Sequence, residues 1–130
     1  MIDLLELEGE LFVYKFSSLA DVPFDSLVAI GQSAFWNLAS IPDEVSLVAP
    51  QLTVDDSVPA VGPWVAFRVA GNLDFALVGI LASITAPLAA AEISIFSVST
   101  FNTDYLLVKA FARAAAIAAW SGAGIEVAVC

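Results

Sequence analysis

The chain has no histidine, one cysteine and only four basic residues among its 130. Each shortage removes a class of function. Without imidazole, the commonest proton shuttle and metal ligand is missing. A lone Cys130 rules out an internal disulfide, which fits a reducing, cytoplasmic compartment. Lys15, Arg68, Lys109 and Arg113 are scattered, and 14 acidic residues leave a net charge of −10. Nucleic acid and anionic membrane surfaces both require clustered Lys and Arg, so neither is expected as a partner. The sequence also lacks a phosphate-binding loop, a dinucleotide fingerprint, a His/Cys metal spacing and a nucleophile elbow. No catalytic residue, cofactor or metal is therefore expected. Asp43-Glu44 and Asp55-Asp56 are turn acids, and two adjacent carboxylates are too few to hold a hard cation.

What the chain has in excess is apolar surface. Hydrophobic residues make up 60% and charged residues 14%, more than the inside of one small domain needs. A second copy of the chain is the expected cover, giving a homo-oligomer, most simply a dimer. The uncharged run Phe75 to Ala91 is at the short end for a membrane span. Pro87 interrupts it and no basic cluster flanks it, so a membrane is not expected. Met1-Ile2-Asp3 has no basic, apolar pattern of the secretory kind.

Patterning places the elements. Leu5-Glu6-Leu7-Glu8 alternates like a half-buried strand and Leu11 to Phe16 reads as a more central one. A short helix is expected after Asp21. Ala34 to Ala39 and Val45 to Ala49 form a hairpin around Ile41-Pro42-Asp43-Glu44. Pro50 to Pro63 is a connector with three prolines, and it sets the expected boundary between units 1–62 and 63–130. Beyond it come a strand over Trp64 to Ala70, a turn, and a helix over Ala76 to Ala90, with Asp74 available as its cap. Leu77, Leu81, Ile84 and Leu88 share one face of that helix. Strands over Ile93 to Ser99 and Tyr105 to Lys109, an Ala-rich helix over Phe111 to Trp120 and a strand over Ile125 to Val129 complete it. The class is α+β, and the order β-α-β-β-α-β is ferredoxin-like.

The hairpin of the second half also has a counterpart sixty residues earlier. Trp36 falls on Phe96, Leu38 on Val98, Ser40 on Thr100, Glu44 on Asp104 and Val48 on Val108, with no gap. Self-similarity of this kind points to a tandem of one supersecondary unit, here expected to share one compact core. Gly79, Ser83, Ala86 and Ala90 leave the outer face of the first helix small. That is either an Ala-rich surface or a contact with another copy.

Residues Leu73 to Leu88, followed by Ile93 to Tyr105, resemble the ACT domain. The resemblance is to the subgroup related to aspartate kinases and to the CASTOR-type arginine sensor. It rests on Phe75-x-x-x-Gly79-Ile80, on Pro87-Leu88 near the helix end, and on Ser99-Thr100-Phe101-x-x-Asp104 between two strands. It covers Trp64 to Val108 strongly, and Ile41 to Val48 are similar to a degenerate first ACT unit. What it implies is a non-enzymatic regulatory or sensor module. Paired ACT units would hold an amino acid or similar small zwitterion and pass its state to a regulated protein partner. A ligand-free dimerisation or scaffold protein is the alternative. The ligand-holding positions carried over are Phe75, Gly79, Ile80, Thr100, Phe101, Asn102 and Asp104, and Asp74 joins them on physical grounds. Leu77 replaces an acid that holds the arginine ligand in the arginine sensor, which favours a smaller or more apolar amino acid. Each residue also has a plain structural role open to it: a turn cap for Asp104, core for Phe75 and Phe101, helix packing for Gly79.

Overall fold

The computed structural model describes residues 3–70 and 78–129. Among these residues, eight strands and three α-helices run in the order β1 (Asp3–Glu6), β2 (Leu11–Phe16), α1 (Phe24–Ile30), β3 (Asn37–Ile41), β4 (Glu44–Ala49), β5 (Ala60–Val69), α2 (Ile80–Ala90), β6 (Phe96–Ser99), β7 (Asp104–Lys109), α3 (Arg113–Gly122) and β8 (Glu126–Val129). Two compact units result. One comprises residues 1–9 and 64–130, here the split unit; the other is residues 10–63, the inserted unit. The expected 1–62 and 63–130 differs from this at the N-terminus, because β1 pairs within the split unit.

The split unit has the expected β-α-β-β-α-β order from β5 to β8. Its strands lie β6-β7-β5-β1-β8. In a four-stranded ferredoxin-like sheet the first and last strands are neighbours. Here β1 stands between them, antiparallel to β5 (Leu4 opposite Val69) and parallel to β8 (Leu4 opposite Val127). This placement inverts the expected facing of Leu5-Glu6-Leu7-Glu8. Leu4 and Glu6 point to the buried side, at 0% and 9% exposure, while Leu5 and Leu7 are half-buried opposite. Glu6 tolerates this because Arg113 grips it with two nitrogens, Nη2 reaching Oε1 at 2.7 Å. A cation in the first turn of α3 opposes the helix dipole. The Glu6 carboxylate offsets that and holds the guanidinium above its ordinary pKa.

Leu4, Phe67, Ile84, Leu88, Leu106, Val108, Ala116 and Trp120 build the split unit's core. Trp120 meets Phe67 edge-on with centroids 4.8 Å apart, and its indole N–H donates to the Ile84 carbonyl at 2.9 Å. The tryptophan thereby joins α3, α2 and β5. Both long helices stop on a left-handed residue. Ile125 N–H returns to the Trp120 carbonyl across Gly124 (φ 82), and Ile93 N–H to the Leu88 carbonyl across Glu92 (φ 58), both at 2.9 Å.

The inserted unit runs β2-α1-β3-β4 with strand order β3-β4-β2. Tyr14 opposes Leu47 in the ladder, and these two join Phe16, Val22, Leu27, Val45 and Ala49 in a separate core. The buried side chains thus form two clusters where one shared core was expected. After β4 the chain makes no second helix. Residues 50–59 pass as coil into β5, which starts four residues ahead of the expected Trp64.

No helix among the described residues is long and apolar enough to cross a membrane.

Candidate functional site

The β6–β7 hairpin carries four of the eight candidate residues. Its ladder runs from Phe96 opposite Leu107 to Ser99 opposite Asp104. Thr100 N–H then donates to the Thr103 carbonyl at 2.8 Å and the Thr100 hydroxyl to the same oxygen at 3.2 Å. Phe101 and Asn102 are left at the tip, both exposed, Phe101 at 79%. Asp104 is half-buried, and the Ser99 hydroxyl donates to its Oδ1 at 2.6 Å across the strand pair. That bond fixes the direction of the carboxylate and uses one of its oxygens. The other can accept an N–H.

Thr103 was not among the candidates, yet it sets where the hairpin stands. It is 7% exposed, and its hydroxyl donates to the Val69 carbonyl at 2.9 Å. With Arg68 opposite Tyr105, the turn is held beside the end of β5, where the chain leaves toward α2. The sequence signal was slight: one of two threonines in a polar turn.

Gly79 and Ile80 open α2. The helix begins four residues after the expected Ala76, and its N-cap is Gly79, not Asp74. Gly79 sits at φ 78 with nothing within 4 Å of where a Cβ would lie. The glycine therefore serves the left-handed backbone, and a close approach of protein to that position is not what it provides. Its carbonyl accepts Ser83 N–H at 2.9 Å and the Ser83 hydroxyl at 2.7 Å. Among the described residues no side-chain cap is made to the first N–H groups of this helix, and such groups are donors. Ile80 is half-buried against the core. Asp74, Phe75 and Leu77 lie outside the described residues.

The sequence model of the ACT domain family matches residues 60–120, from the start of β5 to Trp120. Over those residues the chain is similar to an ACT domain. No curated protein matches this chain. Among solved structures, a protein from Agobacterium tumefaciens superposes over 99% of this chain and 93% of its own, with TM-score 0.85 and 26% identity. The aspartate kinase of Clostridium acetobutylicum matches 94% of this chain with TM-score 0.64 and 16% identity, over 34% of its own length. The ligand-free regulatory subunit of Thermus thermophilus aspartate kinase covers 88% of this chain and 93% of its own, with TM-score 0.58 and 9% identity. At such identities the two kinases share the fold. The ACT match ends before β8 and excludes β1, so the inserted strand and residues 10–59 of the inserted unit stand outside it.

Proposed function

We propose that this chain is a non-catalytic regulatory module that binds an amino acid, or a similar small zwitterion, at the hairpin end of the split unit. It acts as a homodimer and reports ligand state to a regulated protein partner. The observation that carries the proposal is the hairpin itself. Asp104 is aimed by Ser99, Thr100 is held by Thr103, and Thr103 ties the turn to the Val69 carbonyl at the end of β5. An ammonium group suits Asp104, while the Thr100 hydroxyl and the Asn102 amide supply neutral partners. The N–H groups of Ile80 and its neighbours suit a carboxylate. The aspartate-kinase regulatory folds support a regulatory role by likeness.

The test is thermal unfolding of the protein against each common amino acid at millimolar concentration. A ligand at about a hundredfold over its Kd adds roughly 2.7 kcal/mol, which raises the midpoint by several degrees. Asp104→Ala should abolish that rise. No rise with any amino acid would leave the second reading, a ligand-free scaffold. The 88% exposed Phe111 favours an apolar partner surface in that case.

A further inference from the structure

β1 separates two strands that are arranged to pair without it. It is antiparallel to β5 and parallel to β8, so β8 runs antiparallel to β5. Strands in that relation can form a ladder directly. The registers agree as well. Leu4 opposes both Val69 and Val127, Leu5 both Arg68 and Ala128, and Glu6 both Phe67 and Val129. With β1 withdrawn, Val69 faces Val127 and every side chain is already on its own side of the sheet. A shift of β8 by one strand spacing, about 4.8 Å, closes the gap. The order becomes β6-β7-β5-β8, which is the four-stranded ferredoxin-like sheet.

The contacts that hold β1 are uneven. Leu4 is fully buried in the core of the split unit. Glu6 carries a carboxylate to the same side, is itself buried, and relies on Arg113. On the neighbouring strand, Val127 packs against that core. Alternation puts Val129 on the same face, yet it is 79% exposed. In the closed sheet Val127 and Val129 stand where Leu4 and Glu6 stood. A leucine leaves the core, an exposed valine enters it, and a buried carboxylate returns to water. Arg113, 46% exposed in its side chain, keeps its solvation. These changes oppose one another in sign, which is the condition for a two-state element.

We propose that β1 is a displaceable strand. The split unit alternates between a five-stranded sheet, with Glu6 on Arg113 as its catch, and a four-stranded sheet in which β5 pairs with β8. Only residues 7–10 separate β1 from β2 of the inserted unit. The switch therefore lies on a link between the two units, and it is independent of any ligand at the hairpin.

Native-state hydrogen exchange of the full chain tests this, because β8 pairs with β1 alone among the described residues. If β1 merely frays, the β8 amides that donate to it are freed at the same moment and exchange at least as fast as β1. If β1 is displaced, those amides bond to β5 and exchange about tenfold or more slowly than β1. Two variants push the equilibrium in opposite directions. Arg113→Met strands the Glu6 carboxylate and should expel β1. NOEs should then appear between Val69 and Val127 and between Arg68 and Ala128, pairs that β1 now holds two strand spacings apart, about 9.6 Å. Glu6→Leu places an apolar side chain in the core and should slow exchange of the β1 amides about tenfold, with none of those NOEs. Equal exchange of β1 and β8 in the wild type would overturn the proposal, as would exchange of β1 no faster than β5. Loss of protection at β1 and β8 together in Arg113→Met, without the new NOEs, would overturn it as well.

Discussion

The β3–β4 and β6–β7 hairpins look like copies in sequence and differ in how they are held. β4 and β7 correspond at an offset of sixty residues, Glu44 to Asp104 and Ala49 to Lys109. Their partner strands do not. Leu38 opposes Leu47, whereas Phe96 opposes Leu107, so the equivalent of Phe96 is Leu38 and not Trp36. A slip of two residues keeps every side chain on its face, which is why the gapless alignment looked sound. The slip moves the tip from Pro42-Asp43 to Phe101-Asn102. It also lets Thr103 turn inward onto Val69, while Asp43, its counterpart by number, is exposed. One hairpin is tied down at its turn, and the other ends in solvent.

The units behind the hairpins differ in the same sense. Two helices and a tryptophan close the split unit; the inserted unit has one helix of seven residues and a coil. Trp120→Ala is the largest break that can be made in this comparison. It removes a fully buried indole, its contact with Phe67 and its bond to Ile84. A loss of about 3–5 kcal/mol is expected in urea unfolding. Hydrogen exchange should speed up at β7 and α3, while Tyr14 and Leu47, which belong to the other core, stay protected. Uniform loss of protection would show that the two cores open as one.

The next cut separates the turns. Thr103→Val removes a buried donor and leaves the Val69 carbonyl without it, and about 1–2 kcal/mol should be lost. Asp43→Ala touches an exposed tip and should stay within about 0.5 kcal/mol. Equal effects in denaturant midpoints would mean that the Thr103 bond does not anchor the hairpin.

Most of the fold was legible where period and breakers agree. Ile84 and Leu88 share a helical face, prolines mark the connector, and Ala-rich residues precede a glycine stop. What was not legible depended on pairing. Nothing in Leu4-Leu5-Glu6-Leu7 says that β1 will lie between β5 and β8, and only Arg113, more than a hundred residues away, makes an inward Glu6 affordable. The helix start was misplaced because Ala76 to Gly79 fit the apolar pattern, whereas the left-handed Gly79 is the N-cap and the helix begins after it. The hairpin candidates were legible as a motif, but their anchor Thr103 was not.

The smallest test compares the two helix ends. α2 and α3 stop with the same hydrogen-bond return, yet the left-handed residue is Glu92 in one and Gly124 in the other. A side chain in that conformation costs about 1–2 kcal/mol relative to glycine, part of which is regained because glycine has more freedom to lose on folding. Glu92 is exposed and makes no salt bridge among the described residues, so its carboxylate contributes little in return. Glu92→Gly should therefore stabilise the protein by roughly 0.5–1 kcal/mol, seen as a higher urea midpoint with an unchanged slope. The mirror change, Gly124→Glu, meets no neighbouring atoms and should destabilise by a similar amount, since only the backbone conformation is penalised. If both substitutions were neutral, the left-handed cap would not limit either helix, and the sequence difference between the two ends would carry no energetic meaning.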